Sequence, residues 1–387
     1  MPSRFDIVVI GAGPAGLCAA RRIVQQSGAP KTLLIEKRAP WSVPVACAEG
    51  VGRLGFEDAI EPKKEWIRCE IRRVLFHSPA NEKITYEDPN RGYIINRARM
   101  QQDLANEVFS RGVEERFGHG VTDVSSASPD GFREVRLSSG ESVQAQVVID
   151  CSGPLSMLGK QEAALEWKNR DLEVAYFAHI EGIDVQSDLV HLYMGRDIAP
   201  GGYAWAFPRE KDGCNVGLVI GTRFRNQVNI RNKLRSFIDR FFKQGKITGY
   251  YAGTIPCSTG KRTIAVPGLI KAGDCAGTVN PISRAGIVEA MISGTLAGEY
   301  GLKMLERRRM MTQICKQYHS AWMQKRGKSH AKMAKVKSEL IRIPDQDYDM
   351  AAKSLSSLPQ HQLTMSRIFR SSLSRSPRLV WAMRHLM

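Results

Sequence analysis

The sequence predicts an α/β protein, α+β overall. It has a parallel-sheet domain assembled from discontinuous segments, an antiparallel β-sheet domain inserted between them, and a helical C-terminal region. Three observations predict this. An apolar, β-branched run, FDIVVI (5–10), leads through a glycine-rich turn into an Ala-rich helical stretch and then a second apolar run, TLLIE (32–36). From Leu172 to Ile255 the pattern changes to alternation, in VAYFAHIEG, LVHLYMG, YAWAFP and CNVGLVIG, with turn residues between the runs. Beyond Arg307 the chain is helical, basic and Met-rich, with no strand signal and no internal repeat.

The N-terminal unit is the most specific. Gly11, Gly13 and Gly16 form G-x-G-x-x-G between a strand and a helix, and Glu36 closes the next strand. The first glycine permits the tight turn, the second lets backbone approach a pyrophosphate, and the third lets helix and strand pack closely. The helix N-terminus offers unpaired N–H groups to the phosphates, and the Glu36 carboxylate accepts from an adenosine ribose. This is a Rossmann-type dinucleotide site. Arg97 to Gly112 reads as a helix. Arg133–Leu137 and Val143–Asp150 read as strands joined by Ser138-Ser139-Gly140, and residues 269–274 return to a buried strand. A Gly/Ala-rich helix follows from Ile287 to about Leu305. Gly273-Asp274 before that helix favours FAD over NAD: the aspartate accepts from a ribityl chain, and the helix N-terminus stabilises an anionic reduced flavin. The expected FAD-binding domain comprises residues 1–75, 96–165 and 264–305. The substrate sheet comprises 76–95 and 166–263, and the helical region 306–387.

Composition narrows the class. The 387 residues, 43% hydrophobic, suffice for a large core, and no apolar run reaches the length of a spanning helix. The stretch from Phe5 to Ala20 holds the glycine motif and no cleavage-site pattern, so it is structure and not a secretory signal. Eight cysteines without a Cys-x-x-Cys pair predict reduced thiols in a cytoplasm and argue against zinc or iron–sulfur sites. The histidines show no metal-ligand spacing, so no metal is expected. The net charge is +17, and residues 301–387 carry 18 Lys+Arg against 5 Asp+Glu. That balance predicts an anionic partner, either phospholipid head groups or an acidic electron carrier, or else a solvated helical surface. The run from Lys325 to Lys337 has few aromatic neighbours, so nucleic acid is not expected. The tail from Leu363 to Met387 mixes apolar residues with arginine. It suits a helix lying on an anionic membrane, peripheral at the inner face, or a helical cap over a substrate channel.

In its order of motifs the chain resembles the para-hydroxybenzoate-hydroxylase-type flavoproteins, and within them the geranylgeranyl reductase family. Four segments carry the resemblance: Cys47-Ala48-Glu49-Gly50, YIINRARMQQDLA with Arg97, Pro200-Gly-Gly-Tyr203-Ala-Trp205-Ala-Phe207-Pro208, and GDCAGTVNPISRAGIVEAMISG. The third fits the family's P-x-x-Y-x-W-x-F-P signature at every specified position. The resemblance spans about residues 5–300. It implies FAD contacts at Ala15, Glu36, Cys47, Ala48, Gly50, Arg97, Val121, Asp274, Gly286 and Ile287. These join Gly11, Gly13, Gly16 and Gly273 of the glycine-rich turns. Two positions depart from the pattern. Arg284 stands where the family's N-P-x-x-G-x-G-I has its first glycine, and this long cation either clamps the flavin or swings outward. Cys151-Ser152-Gly153 replaces an Asp-Gly pair that the hydroxylases tie to nicotinamide use.

Tyr203, Trp205 and Phe207, at i, i+2 and i+4, share one face of a strand. By spacing alone that face is ordinary core; the resemblance makes it the wall of an isoprenoid slot. Reducing an isolated C=C takes a hydride from the flavin and a proton on the other carbon, supplied by Cys47, Glu49, Tyr203 or an ordered water. Cys47, Glu49, Tyr203 and Trp205 are therefore the candidate catalytic residues. The expected activity is saturation of a prenyl chain on a lipid, quinone or diphosphate, with reduced ferredoxin or NAD(P)H as electron donor. Two rivals remain: an FAD-dependent monooxygenase, hydroxylase or halogenase of the same superfamily, and a non-catalytic flavin-bound lipid-binding module.

Overall fold

A computed structural model describes residues 2–39, 45–156, 158–159, 162, 172–210, 212–257, 263–356, 358 and 363. In chain order the strands are β1 (Ser3–Ile10), β2 (Thr32–Glu36), β3 (Gly50–Gly52), β4 (Ile67–His77), β5 (Lys83–Ile95), β6 (Glu114–Phe117), β7 (Val121–Val124) and β8 (Arg133–Leu137). They continue as β9 (Ser142–Asp150), β10 (Leu172–Glu181), β11 (Leu189–Tyr193), β12 (Tyr203–Glu210), β13 (Gly213–Ile220), β14 (Lys246–Pro256), β15 (Ala265–Val266) and β16 (Leu269–Lys271). The α-helices are α1 (Pro14–Val24), α2 (Arg53–Ala59), α3 (Arg97–Ser110), α4 (Ile230–Phe241), α5 (Ile287–Glu306), α6 (Met311–Trp322), α7 (Lys328–Leu340) and α8 (Asp345–Ser356). Two units emerge, one from residues 1–45, 97–167 and 256–330, the other from 46–96, 168–255 and 331–387.

The first unit holds a sheet in the order β15-β16-β9-β1-β2-β6, with β8 pairing β9 and β7. β1 lies parallel to β2 and β9, β2 to β6, and β16 to β9. Central strands covered on both faces need continuous apolar sequence, and Ile7 to Ile10 are all buried. α1 starts at a proline, whose missing N–H costs nothing in the first turn. It crosses α5 at very short range: a Cβ on Gly294 would sit 2.1 Å from the Ala15 carbonyl oxygen, and one on Gly298 2.5 Å from that of Ala19. In the interior of this unit Lys271 Nζ donates to Asp150 Oδ2 at 2.9 Å and to the Leu158 carbonyl at 2.7 Å, so a fully buried ion pair joins β16 to β9.

The second unit holds a sheet in the order β14-β10-β13-β12-β11-β4-β5-β3. α4 covers one face, where Leu234, Phe237 and Ile238 pack on Ala178, Ile180, Ala204, Ala206, Val216 and Leu218. Asn229 caps this helix, its side chain accepting from the N–H groups of Arg231 and Asn232. The alternate residues of the same strands point to the opposite face, which carries the aromatic residues.

The sheet of the second unit is mixed and not purely antiparallel as expected, because β11 runs parallel to β4. These two strands are far apart in sequence, so no hairpin dictates their direction. Residues 46–75, assigned from the sequence to the FAD-binding domain, belong to the second unit because β3 and β4 pair with β5 there. The helical region 306–387 is not a separate appendage. α6 belongs to the first unit, where the Tyr318 hydroxyl donates to the Lys271 carbonyl at 2.8 Å. α8 belongs to the second, where Ala352 and Leu355 pack with Ile84 and Leu363. α4 lies inside the stretch read as sheet alone. The strand expected over 269–274 stops at Lys271 and continues as a 3-10 turn, Gly273–Ala276. The proposed membrane-surface tail, Leu363 to Met387, lies outside the described residues apart from Leu363. Among the described residues no helix is long and apolar enough to cross a membrane.

Candidate functional site

In the first unit the glycine-rich turn is held by clashes that only glycine avoids. Gly11 has φ +99°, and a Cβ there would lie 2.5 Å from the Cys151 carbonyl oxygen. A Cβ on Gly16 would lie 1.8 Å from the Gly11 carbonyl oxygen. Gly13 differs: a Cβ there meets nothing within 4 Å, so its surroundings are open. Glu36 Oε2 accepts from Ala12 N at 2.8 Å and Oε1 from Arg38 N at 3.0 Å, which fixes the carboxylate over the turn. At the start of α3, Arg97 Nε donates to Gln101 Oε1 at 2.7 Å, and Gln101 Nε2 donates to the Ala12 carbonyl at 3.3 Å.

The late loop converges on the same turn. Gly273 has φ +69°, and a Cβ there would lie 2.9 Å from that of Ala15. Asp274 follows. Burial pushes its carboxyl up to about 6, opposed by the Arg97 guanidinium. Gly286 precedes α5, 3.6 Å from Asp274 Oδ1 as measured from an added Cβ, and Ile287 opens the helix. Val121 begins β7 in this unit, half-buried. Arg284 holds φ +59°, the left-handed path a glycine takes without strain. Its N–H donates to the Asn280 carbonyl, and its Nη1 donates to the Ile282 carbonyl at 2.7 Å. The cation is thus hydrogen-bonded within its own loop. Asn280 Oδ1 accepts from the N–H groups of Ile282 and Ser283 and completes that turn.

In the second unit Cys47, Glu49, Tyr203 and Trp205 come together. Trp205 pairs across the sheet with Gly217, which pairs with Phe177. A Cβ on Gly217 would lie 2.4 Å from both Trp205 Cζ2 and Phe177 Cβ, so the glycine makes room for the two rings. Tyr203, Trp205 and Phe207 line β12 with centroids 6.2 and 6.3 Å apart, and Tyr251 lies 5.1 Å from Phe177. The loop 47–50 rests on this face. Ala48 packs with the aromatic cluster, and Gly50 approaches the Phe207 ring so closely that a Cβ would lie 3.0 Å from Cε2.

Asn215, absent from the sequence-based candidates, ties these parts together. It is fully buried, accepts from Trp205 Nε1 at 2.9 Å and donates through Nδ2 to the Cys47 carbonyl at 3.0 Å. The Cys47 sulfur accepts from Glu49 N at 3.3 Å. All eight cysteines are free thiols, and Cys47 is the one that is not buried.

Glu49 is 6% exposed at φ +64°, with Oε2 3.9 Å from Arg68 Nε and 3.9 Å from Arg209 Nε. The two guanidiniums flank its carboxylate. Next to them Arg209 Nη1 pairs with His179 Nδ1. Burial, then Arg209 and Arg68, pull the His179 imidazole down to about 4, so the ring is neutral. Arg68, His179, Arg209 and Asn215 come from four different strands, and no local motif announces them.

Comparison with known proteins decides the family. A geranylgeranyl reductase catalytic-domain profile matches residues 171–255, and a lycopene cyclase protein profile matches residues 6–189. The digeranylgeranylglycerophospholipid reductase of Methanothrix thermoacetophila is 30% identical over 396 residues, covering 99% of each chain. The chain belongs to the geranylgeranyl reductase family. Digeranylgeranylglycerophospholipid reductase 2 of Methanococcoides burtonii is 29% identical over 394 residues, 99% of this chain and 96% of the relative. A geranylgeranyl bacteriochlorophyll reductase-like protein from Thermoplasma acidophilum shares the fold with a TM-score of 0.90, full coverage of both chains and 24% identity. Family membership makes the chain a geranylgeranyl reductase-like enzyme of the flavin-dependent oxidoreductase class.

Proposed function

We propose that this enzyme saturates C=C bonds in the geranylgeranyl chains of a glycerophospholipid, with FAD as its cofactor. The end-to-end match to digeranylgeranylglycerophospholipid reductases carries this reading.

The first unit fits FAD. The open side of Gly13 and the N-terminus of α1 suit a pyrophosphate, and the anchored Glu36 suits an adenosine ribose. Asp274, Gly273, Gly286 and Ile287 form the second segment, with Arg97, Val121, Gly11, Ala15 and Gly16 completing the first-unit contacts that sequence reasoning assigned. When bound and reduced, FAD supplies the hydride. The chain supplies the rest. Trp205, Tyr203 and Phe207 offer an apolar wall to the prenyl chain, and Asn215 holds the indole and the Cys47 backbone in one register. Of the candidate proton donors, we assign the role to the Cys47 thiol, in the loop that Asn215 ties to Trp205. It would give up its proton to one carbon of the alkene and be reprotonated from solvent.

The test is an anaerobic single turnover. Chemically reduced holoenzyme is mixed with digeranylgeranylglycerophospholipid, and the lipid is read by mass spectrometry. One H2 gained per saturated bond, with stoichiometric flavin reoxidation, is expected. A hydroxylated or halogenated lipid formed only with oxygen would replace this reading with the monooxygenase or halogenase one. A flavin that stays reduced beside bound lipid would leave a lipid-binding module.

A further inference from the structure

One face of the second sheet changes character along its strands. At one end stand Tyr203, Trp205 and Phe177. Two residues further along each strand, Phe177 gives way to His179 on β10, Gly217 to Asn215 on β13, and Phe207 to Arg209 on β12. The strand register keeps these on one side: His179 pairs with Asn215, and Asn215 with Phe207. The β12 register shifts between Pro208 and Glu210, and Arg209 lies at that irregularity, its guanidinium reaching His179. An apolar aromatic wall therefore ends in a cationic patch.

That patch has donors without acceptors. Arg209 Nη1 donates to His179 Nδ1, so in the neutral ring the proton sits on Nε2. Nε2 is buried and has no hydrogen-bond partner among the described residues, and the same holds for Arg209 Nε. Glu49 does not meet the demand of Arg209: at 3.9 Å its oxygen is beyond hydrogen-bonding range of that guanidinium. The Arg68 and Arg209 side chains stay 17% and 23% exposed, so a ligand can reach them. Buried donors left unsatisfied beside two guanidiniums call for an anion with several acceptor oxygens.

We propose that Arg68, Arg209 and His179, set around Glu49, form a subsite for the phosphate of the lipid headgroup, placed at the polar end of the aromatic wall. The inference rests on the reading of the substrate as a glycerophospholipid and adds where its phosphate is held. The guanidiniums take phosphate oxygens through their N–H forks, and the His179 Nε2–H donates to another. Glu49 holds the two arginines at a spacing that an anion bridges. The same chemistry would also take free inorganic phosphate.

The experiment compares two ligands with identical chains, digeranylgeranylglyceryl phosphate and digeranylgeranylglycerol, presented in neutral detergent to the FAD-loaded full chain. Wild type is expected to bind the phosphate about 10- to 100-fold tighter than the alcohol. Arg209→Gln and His179→Leu are expected to bring the ratio to within about threefold while binding of the alcohol is unchanged. Equal affinities in wild type overturn the subsite, a result that needs no variant to fold. Protection by inorganic phosphate without any preference for the phosphorylated lipid assigns the patch to the free ion and also overturns it. If the alcohol binds and is reduced but the phosphate brings no gain, the subsite fails and the proposed activity stands. If neither lipid binds, both fail.

Discussion

In the first unit, the groups offered at the start of α1 are main-chain N–H donors. They are set in place by glycines whose absent Cβ atoms leave room for the carbonyl oxygens of Cys151, Gly11 and Ala15. In the second unit, the polar groups are side chains drawn from separate strands: Arg68 on β4, His179 on β10, Arg209 on β12 and Asn215 on β13. A site made of backbone has no spare degrees of freedom, since any added atom displaces the chain itself. A site made of side chains loses its contacts one at a time. The first should therefore respond to substitution all-or-none, the second in steps.

Gly16→Val gives the largest expected effect. The clash at 1.8 Å with the Gly11 carbonyl cannot be relieved by a rotamer change, so a loss of roughly 3 kcal/mol or more is expected, seen as failure to fold or a collapsed thermal midpoint. Gly13→Ala sharpens the contrast. Its Cβ meets nothing within 4 Å, so the thermal midpoint of the flavin-free protein should stay near wild type while FAD binding weakens more than about tenfold. Equal damage by the two variants would break the distinction between a glycine that serves the fold and one that serves the ligand.

Asn215→Leu tests the side-chain site. It removes two hydrogen bonds and leaves the Trp205 N–H buried without an acceptor, at a cost of about 1–3 kcal/mol. Single-turnover alkene reduction should fall well beyond what the stability loss explains, with FAD retained. Trp205→Phe keeps an aromatic ring on the wall while losing the N–H and part of the indole, so it should lie between wild type and Asn215→Leu in rate. If Trp205→Phe and Asn215→Leu both turn over normally, the link from the indole to the Cys47 loop has no part in the reaction.

The smallest effect concerns acid. His77 Nε2 and His191 Nδ1 lie 3.1 Å apart in the second unit, and burial lowers both imidazoles, His191 to about 4. A depressed folded-state value means that the unfolded chain binds protons first. The stability held above about pH 6.5 is then lost as pH falls towards 4. Thermal midpoints measured from pH 7 to pH 4.5 should decline over that window, and His191→Gln should flatten the slope.

The same contrast governs what the sequence discloses. Gly11, Gly13, Gly16 and Glu36 are legible because a backbone cradle demands a fixed spacing within one strand–turn–helix unit. Trp205 was legible because alternation puts it on a face with Tyr203 and Phe207. Arg68, His179, Arg209 and Asn215 were not, because residues from four strands meet only through sheet register, and register is long-range information. The parallel pairing of β4 with β11 escaped for the same reason, and with it the assignment of residues 46–75. α4 was hidden among strands although Asn229 stands at its N-cap, a local signal that reading the stretch as pure sheet passed over. Arg284 was rightly singled out as a departure. Its left-handed backbone shows how a bulky residue keeps a glycine's path, and its bond to the Ile282 carbonyl was beyond any sequence pattern.

Cys47 has a practical consequence. Seven of the eight thiols are buried, and burial pushes several of them far up, Cys18 and Cys214 to about 12. A native-state alkylating reagent therefore has one open address. The protein should take up a single equivalent of a maleimide dye without any cysteine being engineered away, and the dye would report from the loop that Asn215 anchors beside Trp205. Ligand arrival at the aromatic wall then becomes a fluorescence signal in the unmodified sequence.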